Sequence, residues 1–351
     1  MIIDYRKNNA TILIITLWVL TLLSAITLSL TYRMGIELKI ASNRLAVDKA
    51  FYTAKAGVVQ AISVLNQDTN NYDALNESWS NYNADLYSVN LFKDVSVGEG
   101  KFNISYIYEK DIFSGGSTVF YGMEDEERKI NINKATQDVL ESLPGLTPEI
   151  AYSIRAWRGD TDLTSDVLLK EDSYYQSLTK PYKRKGKPFE SIEELLLIRD
   201  ITKDLLYGKD LDGDGYIDSN EAGLVKYLTV YGDGLININT ADVMVLRVLG
   251  FSEELSYKFI RFRIGSDDIF LSGDDGVFSE AGKIAEYLNY FEPLLPAEQE
   301  IINQKQSLLK ISSRYYTAHV EGDVLGNKAR VSVVIDKESE EGNQIQRWID
   351  E

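Results

Sequence analysis

Hydrophobic positions are spread very unevenly along this chain. After a polar leader, MIIDYRKNNA, no charged residue occurs over 11–32, where TILIITLWVLTLLSAITLSLTY is an unbroken run of apolar, small and hydroxyl-bearing side chains. As a helix that run would extend roughly 33 Å, enough to cross the hydrocarbon core of a bilayer. Beyond Arg33 the pattern turns from solid to periodic: Ile36, Ile40, Ala41, Leu45, Val47, Ala50, Phe51, Ala54, Val58, Ala61, Ile62 and Leu65 recur largely in steps of three and four. One helix is therefore predicted to leave the membrane and continue, now amphipathic, to about residue 66. A secretory signal peptide would show a shorter apolar core, then a cleavage site and a change of character. With Arg6 and Lys7 ahead of the span, the positive-inside tendency puts the leader in the cytoplasm and the bulk of the chain outside.

Period-two patterns come next. KFNISYIYEKD sets Phe102, Ile104, Tyr106 and Tyr108 on one face, STVFYGMEDEERKININ could supply a further extended stretch, and LLKISSRYYTAHVEGDVLGNKARVSVVID reads as two strands around a turn near Gly326 and Asn327. Between these early and late strands the chain is mostly helical. The predicted fold class is α+β: a long membrane-spanning helix, an antiparallel sheet, and a large inserted all-α domain.

The insertion repeats itself. INKATQDVLESLPGLTPEIAYSIRAWR, residues 132–158, aligns with INTADVMVLRVLGFSEELSYKFIRFR, residues 238–263, once one residue is skipped at the turn; each follows an ININ entry, at 130–133 and 236–239. A short helix, a tight turn and a second helix in each copy suggest two helix-hairpin-helix-like repeats. The first resembles the modules of membrane-anchored DNA-uptake receptors, whose G-h-G turn aims backbone N–H groups at a phosphate. Here the turn reads Gly145, Leu146, Thr147, and the other copy likewise lacks the second glycine. The basic loop KPYKRKGKPF is the local argument for DNA.

Composition weighs against that. The formal net charge is −17 at pH 7, which opposes a phosphate backbone and suits a protein that holds divalent cations. There is no cysteine, so disulfides and thiolate metal sites are excluded. The single histidine, His319, stands in a strand-like run, and no pair of carboxylates is singled out by spacing, so an enzyme is not expected. The sharpest chemical motif is Asp210, Asp212, Asp214, Gly215, Tyr216, Asp218 and Glu221, which matches the D-x-D-x-[DN]-G calcium loop. The aspartates and Glu221 would offer carboxylate oxygens, Tyr216 its carbonyl, and the hard oxygen set favours Ca2+. A lone loop of this kind reads as a structural clamp. A second acidic group, Asp160, Asp162, Glu171 and Asp172, is a weaker metal candidate with no matching template.

Leader, span, amphipathic continuation, the LWVLTLLS run (17–24), the AFYTAKAG run (50–57) and the paired ININ motifs together resemble the type II secretion minor pseudopilin K family, also called general secretion pathway protein K. The resemblance implies prepilin peptidase cleavage between Ala10 and Thr11, with methylation of the new terminus, although the usual residue before the cut is Gly. It implies calcium in the helical domain, partners among the other minor pseudopilins and the major pseudopilin, and a single-pass inner-membrane protein with its C-terminal domain in the periplasm. Most pilins carry a Glu at the fifth mature position; here that position is Ile15. A subunit without the acid cannot neutralise the buried terminus of a neighbour ahead of it, which suits the tip of a filament. The implied layout is a cytoplasmic leader at 1–10, a transmembrane helix at 11–32, its continuation at 33–66, pilin-like strands and loops at 67–121, the helical insertion at 122–300 with its calcium loop at 210–221, closing strands at 301–338 and a polar tail at 339–351. The expected function is a minor pseudopilin capping the pseudopilus tip and supporting export across the outer membrane; the alternative is a membrane-anchored DNA-uptake receptor.

Overall fold

The computed structural model describes residues 5–80, 91–109, 117–211, 221–267, 273–339 and 344–350. Its first element, helix α1 (Tyr5–Gln67), is 63 residues long. From Thr11 onward it contains a window of mean hydropathy 2.3, none of it buried, so it is long and apolar enough to cross a membrane. The hydroxyls of Thr16, Thr21, Thr27 and Thr31 donate to carbonyls three or four residues back, at 2.8–2.9 Å, so they need no water.

The second half of α1 buries Ala46, Ala50, Ala54, Val58, Ala61, Val64 and Leu65, a stripe in steps of three and four. It lies on an antiparallel sheet in the order β1 (Val95–Val97), β2 (Gly100–Ile104), β10 (Tyr315–Val324), β11 (Asn327–Asp336), β12 (Gln344–Asp350), with β5 (Glu124–Asp125) also pairing β10. Small residues let helix and sheet approach closely: a Cβ on Gly322 of β10 would run into the Ala50 carbonyl. Alternation does the rest, turning Tyr316, Ala318, Val320, Val331, Val333 and Ile335 onto the helix with Phe102, Ile104 and Trp79. β10 and β11 form a hairpin in continuous register from Tyr315–Asp336 to Val324–Asn327. The turn is centred on Leu325 and Gly326, both at positive φ, one residue earlier than the pattern suggested.

Two readings depart from expectation: the insertion, expected to be all-α, contains short strands at 124–125, 130–131, 228–229 and 236–237, and the tail is partly a strand. Residues 344–350, read as part of a polar tail, are strand β12, bonded along β11. Trp348 is the reason: its ring lies edge-on to Phe51 of α1, and that apolar contact anchors a sequence too polar to announce a strand.

Strands β3 (Tyr106–Glu109) and β4 (Ser117–Phe120) make a separate hairpin, and its apolar face forms a small core with Leu75. Between β5 and β10 the chain builds a second large core. Its elements are β6 (Ile130–Asn131), α2 (Gln137–Glu141), α3 (Pro148–Arg158), α4 (Ser165–Ser177), α5 (Lys203–Tyr207), β7 (Leu228–Thr229), β8 (Ile236–Asn237), α6 (Val243–Val248), α7 (Glu253–Ile264), α8 (Ile284–Phe291), α9 (Pro296–Lys305) and β9 (Leu309–Lys310). β6 pairs parallel with β7, and β8 with β9, so each repeat is closed into a loop by a strand pair at its two ends.

Candidate functional site

Each copy of the repeat is held by the same two clamps. In the first, Asn133 grips the backbone of Phe189 in both directions, taking its N–H at 2.7 Å and donating to its carbonyl at 3.0 Å. In the second, Asn239 does the same to Phe278, at 2.8 and 3.0 Å. Arg158, at the end of α3, reaches back to the carbonyls of Ile132 and Ala135; Arg263, at the end of α7, reaches those of Ile238 and Ala241. In each copy the arginine thus bonds the backbone that leads into α2 or α6, while the asparagine ties that segment to the backbone of a distant phenylalanine. The sequence alignment stopped at these arginines, but the repeat runs on through Phe189 and Phe278 into the segments that follow them.

Each tight turn already has a backbone N–H bonded within the chain. Gly145 has φ +75°, and Leu205 of α5 lies 2.6 Å from where a Cβ would stand; the Leu146 N–H is bonded to the Leu143 carbonyl at 3.2 Å. Gly250 has φ +95° with the Lys305 ammonium beside it, and the Phe251 N–H is bonded to the Leu246 carbonyl. In the basic loop Arg184 turns to Asp172 and the Ala156 carbonyl, while Lys185 turns to Glu194. Two of the loop's five basic side chains thus tie it to its own domain.

The acidic loop springs from α5. Its ends are drawn together by a bridge between Gly208 and Ala222, by the Lys209 N–H on the Glu221 carbonyl at 3.2 Å, and by the Leu211 N–H on the Glu221 carboxylate at 2.6 Å. Asp210 and Glu221, the first and twelfth residues of the motif, therefore share one neck. Asp212, Asp214, Tyr216 and Asp218 lie outside the described residues. The described part fits a hard cation: a carboxylate stands at each end of a closed loop whose other donors are oxygen.

The second acidic group is not gathered into one site. Burial pushes the Asp160 carboxyl up, but Arg158 at 2.6 Å and Arg155 at 2.8 Å more than offset this and hold it below its usual range. Asp162 also pairs with Arg155, Asp172 sits 2.7 Å from Arg184, and buried Glu171 is 3.6 Å from Arg199. Asp160 and Asp162 share Arg155, Asp172 and Glu171 face Arg184 and Arg199, and arginine competes with a metal for the same oxygens. Ala10 and Thr11 fall inside α1, and Ile15 presents an exposed apolar side chain on it. His319 shares a 2.8 Å hydrogen bond with Ser332 on the sheet.

What sequence reasoning passed over is the string Glu124, Asp125, Glu126, Glu127, Arg128 and Lys129, which fastens the helical domain to the sheet. Asp125 takes the side chains of Asn237, Thr240 and Ser313 on one oxygen and the Glu127 N–H on the other. Burial raises its carboxyl to about 6 against those hydrogen bonds. Glu126 accepts from Thr229 and Thr317, each at 2.6 Å, Glu127 from Lys310 and the Arg314 N–H, and Arg128 pairs with Asp242. Six consecutive charges next to an apolar ININ entry were the available signal, since solvated charge runs rarely abut a buried strand.

A span-length helix that continues onto an antiparallel sheet, with a helical domain between its strands, points to a single-pass membrane-anchored protein. Residues 100–207 match the family described as Type II secretion system (T2SS), protein K. Among solved structures the chain is similar to one in the crystal structure of the GspK-GspI-GspJ complex from enterotoxigenic Escherichia coli Type 2 Secretion System, with TM-score 0.59 and 13% identity over 89% of this chain and 99% of that one. No curated protein matches the sequence. The family match and the fold together support a type II secretion minor pseudopilin K.

Proposed function

We propose that this chain is the minor pseudopilin that ends the pseudopilus of a type II secretion system, supporting protein export across the outer membrane. The observation that carries the reading is the two-sidedness of α1. One face is buried on the sheet, while Leu45, Tyr52 and Val59, seven residues apart on the opposite face, stay exposed above an uncharged span that offers Ile15 where most pilins offer an acid. An exposed apolar stripe continuous with a membrane helix takes other helices of the same kind. The GspK-GspI-GspJ complex supports other minor pseudopilins as those partners; the major pseudopilin lies below them, and prepilin peptidase cuts between Ala10 and Thr11 before assembly. The product is a single-pass inner-membrane protein with its C-terminal domain in the periplasm. On this reading the helix-hairpin-helix-like repeats are protein-facing bulk that blocks further subunit addition, and Ca2+ held by Asp210, Asp212, Asp214, Tyr216, Asp218 and Glu221 stiffens them. The proposed domain layout is the one read from the sequence, with β12 added to the closing strands.

The test uses the absence of cysteine. A single cysteine in place of Leu45, carrying a photoactivatable maleimide crosslinker, should crosslink to another minor pseudopilin at the pseudopilus tip and nowhere along the shaft, whereas Ile15→Glu should let the same crosslink appear along the shaft. Crosslinks throughout the shaft in the unaltered background, or an intact leader where prepilin peptidase is active, would overturn the reading.

A further inference from the structure

The end of α1 is fastened to the rest of the molecule by a cluster of charges that the pilin-like architecture does not require. Asp68, Asp73 and Glu77 bring one carboxylate oxygen each to within 4.8 Å of one another. The ammonium of Lys337, just past β11, fills the place a cation would take, 2.8 Å from Asp68 and 2.9 Å from Asp73. Asp73 is 1% exposed and ties three regions together. Its second oxygen takes the Ser313 N–H at 2.7 Å, its own N–H goes to the Ile311 carbonyl, and its carbonyl accepts from Asn237 of the second repeat. Glu77 is satisfied by the Asn70 side chain, by the Ala74 N–H at 2.7 Å and by the Trp79 indole at 3.1 Å.

Three carboxylates and one ammonium would leave two net negative charges in a largely buried space. Like charges this close cannot all ionise without cost, so the cluster keeps a proton that an isolated carboxyl would have lost. We propose that Asp68, Asp73, Glu77 and Lys337 form a proton-retaining clip between the anchor helix, the sheet and the second repeat, a clip that loosens as pH rises through neutrality. The other groups facing it are Tyr316 of β10 and Asp125 of β5; neither supplies positive charge. Burial raises the Glu77 carboxyl to about 7, with Asp68 adding to the effect against three hydrogen bonds, and burial also raises Asp73 in spite of Lys337. Because the folded value lies above the unfolded one, the stabilisation is complete below the ordinary glutamate range and is lost as pH climbs through about 7.

The full-length chain in detergent, labelled with 5-fluorotryptophan, reports the clip directly, since Trp79 touches Glu77 and is one of four tryptophans. Trp79→Phe assigns its 19F resonance. That resonance should titrate between pH 5.5 and 8.5, an experimental window set about the value near 7 for Glu77. Glu77→Gln should fold and hold the resonance at its low-pH position, and Lys337→Met should move the midpoint up by roughly one to three pH units. A resonance that does not move with pH, one that titrates unchanged in Glu77→Gln, an unfolded Glu77→Gln chain, or an unshifted midpoint in Lys337→Met would each overturn the clip.

Discussion

The two repeats share a frame and differ in what they do with it. In the first, the carboxamide of Asn131 donates to the carbonyls of Tyr231 and Gly232, in the linker between the copies. In the second, the matching Asn237 donates to the Asp73 carbonyl, the Asp125 carboxylate and the Ser313 hydroxyl, all on the sheet side. Arg158 pairs with Asp160 at a partly open edge, while buried Arg263 reaches the Tyr108 hydroxyl of the β3–β4 hairpin at 3.1 Å. The copies differ before their closing strands: α5 is separated from the 3-10 turn at Leu224–Lys226 by the acidic segment, whereas α9 runs directly into the turn at Gln306–Leu308. Duplication thus produced one copy that is fastened and one that is free to hold an insertion.

The sharpest way to break this comparison is to remove the arginine from each copy. Arg263→Met strands two buried carbonyls away from water, and should cost about 3 kcal/mol. Arg158→Met sits beside more accessible surface and should cost roughly half as much. Denaturant unfolding of the full chain in detergent compares the two; equal losses would mean that the second copy is no more the keystone than the first.

Most of this frame could be read before the fold was known, and the limits have physical causes. The ININ entries, the paired turns and the arginines recur at local spacing, so the repeat was visible where it is made of helices. Its continuation through Phe189 and Phe278 was hidden because the element that repeats there is a backbone held by an asparagine 56 residues away in one copy and 39 in the other. Period alone locates no such contact. The long helix was legible throughout, since hydrophobicity reports on the membrane and on the core alike. The Glu124 to Lys129 string was not, because partners such as Thr317 and Asp242 lie more than a hundred residues on. A charge run looks solvated until the fold supplies them. The acidic loop had a template, of which only the ends at Asp210 and Glu221 lie in the described residues; the weaker group around Asp160 had none, and its members pair with arginines, two of them sharing Arg155.

On the proposal that the acidic loop holds calcium, removing the ion should affect the first copy and leave the second alone. With the ion at about a hundred times its dissociation constant, chelation should lower stability by about 2.7 kcal/mol. Glu221→Gln should abolish the difference between chelated and loaded protein. Hydrogen exchange would locate the change: the amides of Lys209 and Leu211, both bonded to Glu221, should lose protection, while the Ile238 amide, bonded to the Lys310 carbonyl, should keep it. Equal losses in both copies would show that the ion, if bound, acts on the whole domain and not on the acidic loop.

The smallest expected effect is the most pointed test of the insertion itself. Gly208 and Ala222 are already bridged across an antiparallel pair, a spacing that a two-residue turn can close. Replacing 209–221 by Asn-Gly should therefore leave α5, the turn at Leu224–Lys226 and β7 as they are, just as α9, the turn at Gln306–Leu308 and β9 stand without a loop. Shortening the loop also recovers a little closure entropy, so the shortened chain should match the chelated parent to within about 0.5 kcal/mol and be indifferent to calcium. A shortened chain that loses the β6–β7 pairing would show instead that the acidic segment is part of the frame, and that the second copy is the one that has changed.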